Sequence, residues 1–354
     1  MLKVLMIGPS RNTKGGMSTV INNYYKYGLS DKVKLKYIET INDKNIFIKF
    51  IKEKIALVEF LFNIDKYDIL HAHLASRRSA FRKSMYIRIA KRKNKYIVAH
   101  IHGGGFKKFL DEECSNKKRM YIINSLNMCD KIIVLSKEWY EYFSTFIDKK
   151  KLIVIENSVY VPCNNYSTQD NYNILFLGRL EKDKGIYDLL ESFSYIVDEY
   201  KNAKLYIAGS GENDLVEKKI KKLGISKNIV MLGWISNDET TKIIKSCSLF
   251  VLPSYFEAMP MSLLESMAFG CIPVASNVGG IPYVIKDGVN GFLVTPGDII
   301  ELKNKILKIF NKSPDERKII SNNAYNAIFS KYNIKKSLDK IIEVYNEKNK
   351  RKTN

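Results

Sequence analysis

The sequence has no Asp-x-Asp, no Cys-x-x-Cys, and no unbroken apolar run near the roughly 18 residues that a membrane-spanning helix needs. Without Asp-x-Asp, the commonest short carboxylate pair for holding a divalent ion on a diphosphate is missing. The five cysteines, Cys114, Cys129, Cys163, Cys247 and Cys271, are scattered and odd in number, which excludes a disulfide framework or a cysteine zinc site and reads as reduced thiols. Without a spanning segment, and with residues 1–8 running straight into a strand pattern, the expected location is cytoplasmic, with no cleaved signal peptide. Histidine is scarce at four, and no long polar low-complexity tract points to disorder.

Acidic charge is scarce where basic charge is dense. Residues 1–165 hold 31 Lys and Arg against 15 Asp and Glu, most of the +21 carried by the whole chain. The densest stretch runs from Arg77 to Lys95 through Arg78, Arg82, Lys83, Arg88, Lys91, Arg92 and Lys93, with no acid among them. Such a cluster attracts polyanions, an anionic membrane surface or nucleic acid, and otherwise reads as a solvated helix face.

At 354 residues, with 45% hydrophobic residues, the chain is long enough for two domains, each with its own core. Short β-branched runs at 3–7, 69–73, 96–101, 131–135 and 152–156 alternate with helical stretches, the pattern of βαβ units around a buried parallel sheet. A second series follows at 173–177, 204–208, 229–232, 249–252, 272–275 and 291–294. Between them, residues 159–172 are polar with no apolar period and read as a linker, giving domains 1–165 and 166–334 with a terminal helix at about 335–354. Residues 45–64 combine a broad apolar face with lysines. Packing on the sheet is the preferred reading, and an interfacial helix the other.

The sharpest chemical signal runs from Tyr255 to Gly270. Glu257 follows the strand 249–252 on a strand-end loop, where doubly wound sheets bind ligands. Pro260 and Gly270 bracket a helix over about 260–269, whose amino end, with the backbone N–H groups of Ala258, Met259 and Met261, favours a phosphate or developing negative charge. Glu265 lies inside that helix, where a carboxylate can accept hydrogen bonds from sugar hydroxyls. The second signal is Gly178-Arg179-Leu180-Glu181-Lys182-Asp183-Lys184-Gly185 after the strand 173–177. Arg179 and Lys184 there can meet a diphosphate that no metal neutralises, Arg by a forked contact and Lys as a compact charge. Gly15-Gly16 after the first strand, and Gly209 in Ala208-Gly209-Ser210-Gly211, let backbone approach a ligand closely. The histidines form two His-x-His pairs, His71/His73 and His100/His102, each pair on one strand face. Packing for His71 and His100 and a ligand-facing hydrogen bond for His102 are preferred over zinc.

Taken together, these residues resemble glycosyltransferase family 4, the retaining GT-B enzymes. The likeness runs through Gly15-Gly16, His102-Gly103, Ile132-Ile133-Val134-Leu135-Ser136, Gly178-Arg179 to Lys184-Gly185, Glu257 to Glu265, and Val278-Gly279-Gly280-Ile281-Pro282. It implies an α/β GT-B fold, two doubly wound Rossmann-like domains facing a central cleft, with an N-terminal acceptor-binding and a C-terminal nucleotide-sugar-binding domain. It implies that Arg179 and Lys184 hold the donor diphosphate with Gly178, Gly209 and Gly16 close by. Glu257 would take the transferred sugar's hydroxyls, Glu265 the ribose, and His102 the sugar or acceptor near the reacting carbon. Two departures stand out: Ala258 where many relatives have glycine, which bears on the sugar pocket, and Asn157-Ser158-Val159 for the commoner Asn-Gly-Val.

The expectation is a retaining hexosyltransferase that needs no metal or other cofactor. Its donor would be a nucleotide-diphosphate sugar, UDP favoured, and its acceptor a lipid-linked or polysaccharide chain in bacterial surface glycan synthesis. The basic N-terminal domain would hold it peripherally at the anionic inner face of the membrane, with no nucleic acid as partner. The alternatives are a sugar-nucleotide epimerase or DNA-directed glycosyltransferase on the same fold, or an inactive polyanion-binding relative.

Overall fold

The computed structural model describes residues 1–13, 15–41, 46–102, 105–163 and 171–350. Lys14, residues 42–45, Gly103, Gly104, the linker residues 164–170 and the terminal residues 351–354 lie outside the described residues. The chain forms two compact units, Met1–Ser158 with Ile334–Asn354, and Val159–Asn333.

In the first unit, a parallel sheet is built from β1 (Lys3–Gly8), β2 (Lys34–Glu39), β3 (Ile69–Leu74), β4 (Tyr96–Ile101), β5 (Lys131–Val134) and β6 (Leu152–Val154). Its spatial order is β2-β1-β3-β4-β5-β6. The central strands β3 and β4 are buried along their whole length, as continuous apolar runs covered on both faces must be. Sequence reasoning missed β2. Its Lys-Leu-Lys-Tyr-Ile-Glu alternation belongs to a half-exposed edge strand, without the unbroken apolar run used to find the others.

The second unit repeats the plan with β7 (Asn173–Leu177), β8 (Lys204–Ala208), β9 (Ile229–Gly233), β10 (Leu249–Leu252), β11 (Ile272–Ser276) and β12 (Phe292–Val294). The order is β12-β11-β10-β7-β8-β9, again all parallel. From β7 the chain winds one way through β8 and β9, then crosses back to β10 and winds the other way. The two directions part between β7 and β10, and loops leaving the carboxyl ends of such a strand pair flank a crevice.

The boundary falls after Ser158, not at 165, and the chain rejoins the first unit at Ile334, not 335. The reason is local: the Val159 amide donates to the Tyr332 carbonyl at 2.9 Å, and Val159 bridges Asn333, so the start and end of the second unit are tied together. The last helix, Ile334–Lys350, packs on the first unit. Its Lys348 pairs with Asp68 at 2.8 Å and its Glu347 with Lys131 at 2.9 Å. Tyr345 is fully buried and shares a 2.5 Å hydrogen bond with Nδ1 of His71. Tyr345→Ala is expected to cost about 3–5 kcal/mol by opening a cavity and orphaning that nitrogen. Urea denaturation measures it, and a loss below about 1 kcal/mol would show that this helix end is not part of the core.

Candidate active site

The loop after β7 turns through Gly178 and Arg179, tightens into a short 3-10 turn at Lys182–Lys184, and enters the helix Ile186–Glu199 at Gly185. Gly185 has φ 69°, and a Cβ there would lie 2.0 Å from the Pro253 carbonyl oxygen, so only glycine lets this loop lie flat on the loop after β10. The Tyr255 amide donates to the Asp183 carbonyl at 2.9 Å, stitching the two loops at the crossing. The chain thereby brings Lys184 onto Glu257. Its ammonium donates to Oε1 of Glu257, with the side chains only 19% and 11% exposed. Ser254 donates to the same oxygen at 3.0 Å.

A third loop fixes Glu257 from behind. Gly279, at φ 54°, follows β11, and a Cβ there would stand 1.7 Å from the Glu257 carbonyl oxygen; one at Gly280 would be 2.0 Å from the Ala258 carbonyl oxygen. Backbone approach this close requires glycine. Ser254, Gly279 and Gly280 are site residues that sequence reasoning did not assign. Gly279-Gly280 was visible as a motif but says nothing, without coordinates, about which carboxylate it supports.

The helix after Glu257 is Met261–Ala268, with Pro260 at the cap position (φ −71°, ψ 126°) rather than inside the first turn. Pro260 has no N–H to offer and its extended ψ turns the chain into the helix. The side chains of Ala258, Met259 and Met261 are buried, so any contact they make with a ligand is by backbone. Glu265 is partly buried, and its carboxylate has no hydrogen-bond or ionic partner among the described residues. Desolvation pushes it up to about 7, so it is poised to take hydroxyl donors that the protein itself does not supply.

Arg179 lies on the same loop as Lys184 but points outward, its side chain 63% exposed and paired with Glu181 at 2.8 Å. The structure therefore brings Lys184 and Glu257 into contact and leaves Arg179 at the rim. Gly178 and Gly209 sit against each other: a Cβ on Gly209 would be 1.7 Å from the Gly178 carbonyl oxygen, and Gly209 has φ 151°. Beyond them Leu180 and Gly211 form a bridge that joins the loops after β7 and β8.

In the first unit the winding direction changes between β1 and β3. Gly15 and Gly16 open the helix Gly16–Lys26 there, both exposed. Gly15 has φ 148°, and a Cβ on it would meet nothing within 4 Å. His71 and His73 on β3, with His100 and His102 on β4, stack as one column, with neighbouring ring centroids 4.1–5.5 Å apart. Nδ1 of His73 and Nε2 of His102 share a 2.8 Å hydrogen bond, which couples their tautomers: whichever nitrogen carries the proton, the other accepts. Burial holds all four imidazoles neutral, His71 and His102 down to about 3 and His73 and His100 well below the usual range.

Ring nitrogens of His71, His73 and His100 lie within 4.8 Å of one another. The rings nevertheless meet at interplanar angles of 11°, 19° and 29°. Lone pairs lie in the ring plane, and planes so nearly parallel do not converge on one ion, so the column fits packing and hydrogen bonding better than metal ligation.

The family described as glycosyl transferases group 1 matches residues 164–327, the span that holds Arg179, Lys184, Glu257, Glu265 and both glycine supports. Over those residues the chain carries a group 1 glycosyltransferase domain. Over 90% of this glycosyltransferase and 84% of its own length, an Escherichia coli protein described as UDP-Gal:alpha-D-GlcNAc-diphosphoundecaprenol alpha-1,3-galactosyltransferase is 27% identical. Two solved structures share the fold: Anabaena HepE in complex with UDP and glucose, with TM-score 0.78 and 19% identity over 98% of this chain and 100% of that one, and sucrose-phosphate synthase from Thermosynechococcus elongatus, with TM-score 0.81 and 16% identity over 98% and 99%. The fold is GT-B, with two Rossmann-like units.

The histidine column is expected to make the glycosyltransferase acid-sensitive. Each imidazole is held below its unfolded value of 6.5, so the stability it contributes is present above pH 6.5 and drains away as pH falls, towards 3 for His71 and His102, at up to about 1.4 kcal/mol per pH unit for each. Glu265 works in the opposite sense between pH 7 and 4.5, but it is one group against four. Scanning calorimetry is expected to show the melting temperature falling steadily from pH 6.5 to 5, and a flat profile would contradict the neutral column.

Proposed function

We propose that this glycosyltransferase moves a hexose from a UDP-linked donor, with retention of anomeric configuration and without a metal ion, to a lipid-linked or polysaccharide acceptor in surface glycan synthesis. The observation that carries the reading is the contact of Lys184 with Glu257 at the strand pair where the second sheet reverses its winding. The names of relatives support the substrate class: the Escherichia coli protein is described as acting with UDP-Gal on a diphosphoundecaprenol-linked sugar, and a Klebsiella pneumoniae relative, 25% identical over 85% of this chain and 88% of its own length, lies in a cps region.

The roles follow from charge and hydrogen-bond capacity. Departure of the diphosphate builds negative charge on its leaving oxygen. Lys184 supplies a fixed cation there, Arg179 would join it only by turning in from its pair with Glu181, and the backbone N–H groups opening the helix Met261–Ala268 add the positive end of its dipole. Glu257 keeps its second carboxylate oxygen for the hydroxyls of the transferred sugar, and Glu265 receives the ribose hydroxyls. His102, neutral and hydrogen-bonded to His73, is the first unit's candidate for a hydrogen bond to the sugar or the acceptor. In front-face transfer the acceptor oxygen bonds to the anomeric carbon as the bond to phosphate breaks, and the leaving phosphate oxygen takes the acceptor proton, so no carboxylate nucleophile is required. The basic first 165 residues would bring the protein to an anionic membrane surface, where a lipid-linked acceptor resides.

Isothermal calorimetry with UDP-sugars in EDTA tests the donor site. Binding is expected to persist in EDTA, and Lys184→Ala to weaken it by about 1.5–3 kcal/mol, the usual worth of a hydrogen bond to a charged group. A strict divalent-metal requirement, or unchanged affinity in Lys184→Ala, would overturn the assignment. Glu265→Gln separates stability from binding. Ionised Glu265 is penalised above about pH 7 and the penalty vanishes below pH 4.5. The variant should therefore melt higher than the parent at pH 8, by about 1–3 kcal/mol in stability, yet bind UDP more weakly. Equal UDP affinity in both proteins would remove Glu265 from the site.

A further inference from the structure

The helix Ile46–Ile64 has an inner face that the fold accounts for and an outer face that it does not. Ala56, Phe60 and Ile64 are buried, and Phe60 meets Tyr86 edge-on at 4.8 Å. On the outward side Phe50, Ile51, Ile55, Val58, Leu61 and Phe62 are 44–74% exposed, Phe62 most of all. At about 100° per residue these six side chains fall within an arc of roughly 140°, one continuous apolar stripe along the helix. The charged residue inside that arc is Lys54, whose ammonium lies 5.3 Å from the centre of the Phe50 ring. A lysine placed this way can lay its stem along an apolar surface and lift its charge to a polar boundary.

The charge around the stripe says what covers it. The two acids of the helix are already neutralised, Glu53 by Arg82 at 2.5 Å and Glu59 by Lys36 at 3.2 Å. The adjoining helix Arg78–Arg92 presents Arg78, Lys91 and Arg92 to solvent together with Phe81, which is 50% exposed. A second copy of this chain would set one strongly basic face against another. An anionic lipid surface matches both features at once, with acyl chains for the stripe and phosphates for the arginines and lysines. No helix among the described residues is long and apolar enough to cross a membrane, so the helix lies in the plane of the bilayer surface.

We infer that the helix Ile46–Ile64 is an in-plane membrane anchor, its outer face inserted at the headgroup boundary of an anionic bilayer and the basic helix beside it held against the phosphates. This deepens the proposed membrane partnership, and rests on that reading for its purpose but on the first unit alone for its geometry.

Co-sedimentation of the full chain with phosphatidylcholine vesicles, with and without phosphatidylglycerol, at low and high salt, tests it. The wild type is expected to partition onto the phosphatidylglycerol vesicles and to keep part of that binding at high salt. The triple variant Phe50→Ser, Ile55→Ser, Phe62→Ser should lose the salt-resistant part, with partition falling roughly tenfold or more. Arg78→Ser with Arg92→Ser should lose mainly the salt-sensitive part. All three positions of the triple variant are exposed, and its melting temperature and UDP-induced thermal shift should match the wild type. An unchanged UDP shift with lost vesicle binding assigns the defect to the surface. Absence of a UDP shift in the wild type would instead sink the donor reading and leave the anchor standing. Wild-type protein that ignores phosphatidylglycerol vesicles, a triple variant that binds them equally, or a wild-type dimer that the triple variant makes monomeric would overturn the anchor.

Discussion

The ion pair between Lys184 and Glu257 is the contact on which the second unit's site depends. Each partner is mostly withdrawn from water, so neither can lose the other without leaving a charge poorly solvated, a loss worth about 3–5 kcal/mol where such pairs are buried. The pair also carries information about topology. Lys184 comes from the loop after β7 and Glu257 from the loop after β10, and those strands are neighbours only because the chain reverses its winding between them. The surrounding glycines make the contact possible: Gly185 lets the first loop lie on Pro253, and Gly279 and Gly280 let a third loop press on the backbone of Glu257 and Ala258. A side chain at any of these positions would push apart the loops that hold the pair.

The two units solve different electrostatic problems with the same architecture. In the second, charges of both signs meet at the end of the sheet, and a desolvated carboxylate, Glu265, is left without a protein donor. In the first, burial works against charge: four imidazoles stack in a column and are held neutral, and desolvation lowers buried Lys83 well below its usual range while it donates to Thr40. The unit that holds Lys184, Glu257 and Glu265 is thus polar at the end of its sheet. The unit with the apolar outer helix and the basic surface is polar outside its core.

Much of this was legible in the chain. Eleven of the twelve strands among the described residues announce themselves as short β-branched runs, and the alternation of strands with helices dictates parallel sheets. Glu257, Arg179 and Lys184 could be singled out because they sit on loops that follow strands, and Glu265 because it lies in the helix that Glu257 leads into. What escaped depended on distance in space. β2 alternates charge with apolar residues and lacks a buried run; Ser254 is one serine among many until it is seen donating to Glu257. Nothing in the sequence says that His71 and His102 belong to one column, since β3 and β4 are joined only by register. The helix at 45–64 shows the limit most clearly. Its breadth of apolar residues fitted packing or an interface, and the structure displays both, a buried side against the sheet and a bare one facing out. Arg179 was expected beside Lys184, but the loop turns it outward onto Glu181.

Amide hydrogen exchange with and without UDP-glucose tests the central claim most directly, because it reports where the donor sits without substituting any residue. Slowed exchange centred on residues 178–185 and 254–265, the two loops joined by Lys184 and Glu257, is the result the account predicts. Protection elsewhere in the second unit with these two segments unchanged would contradict it.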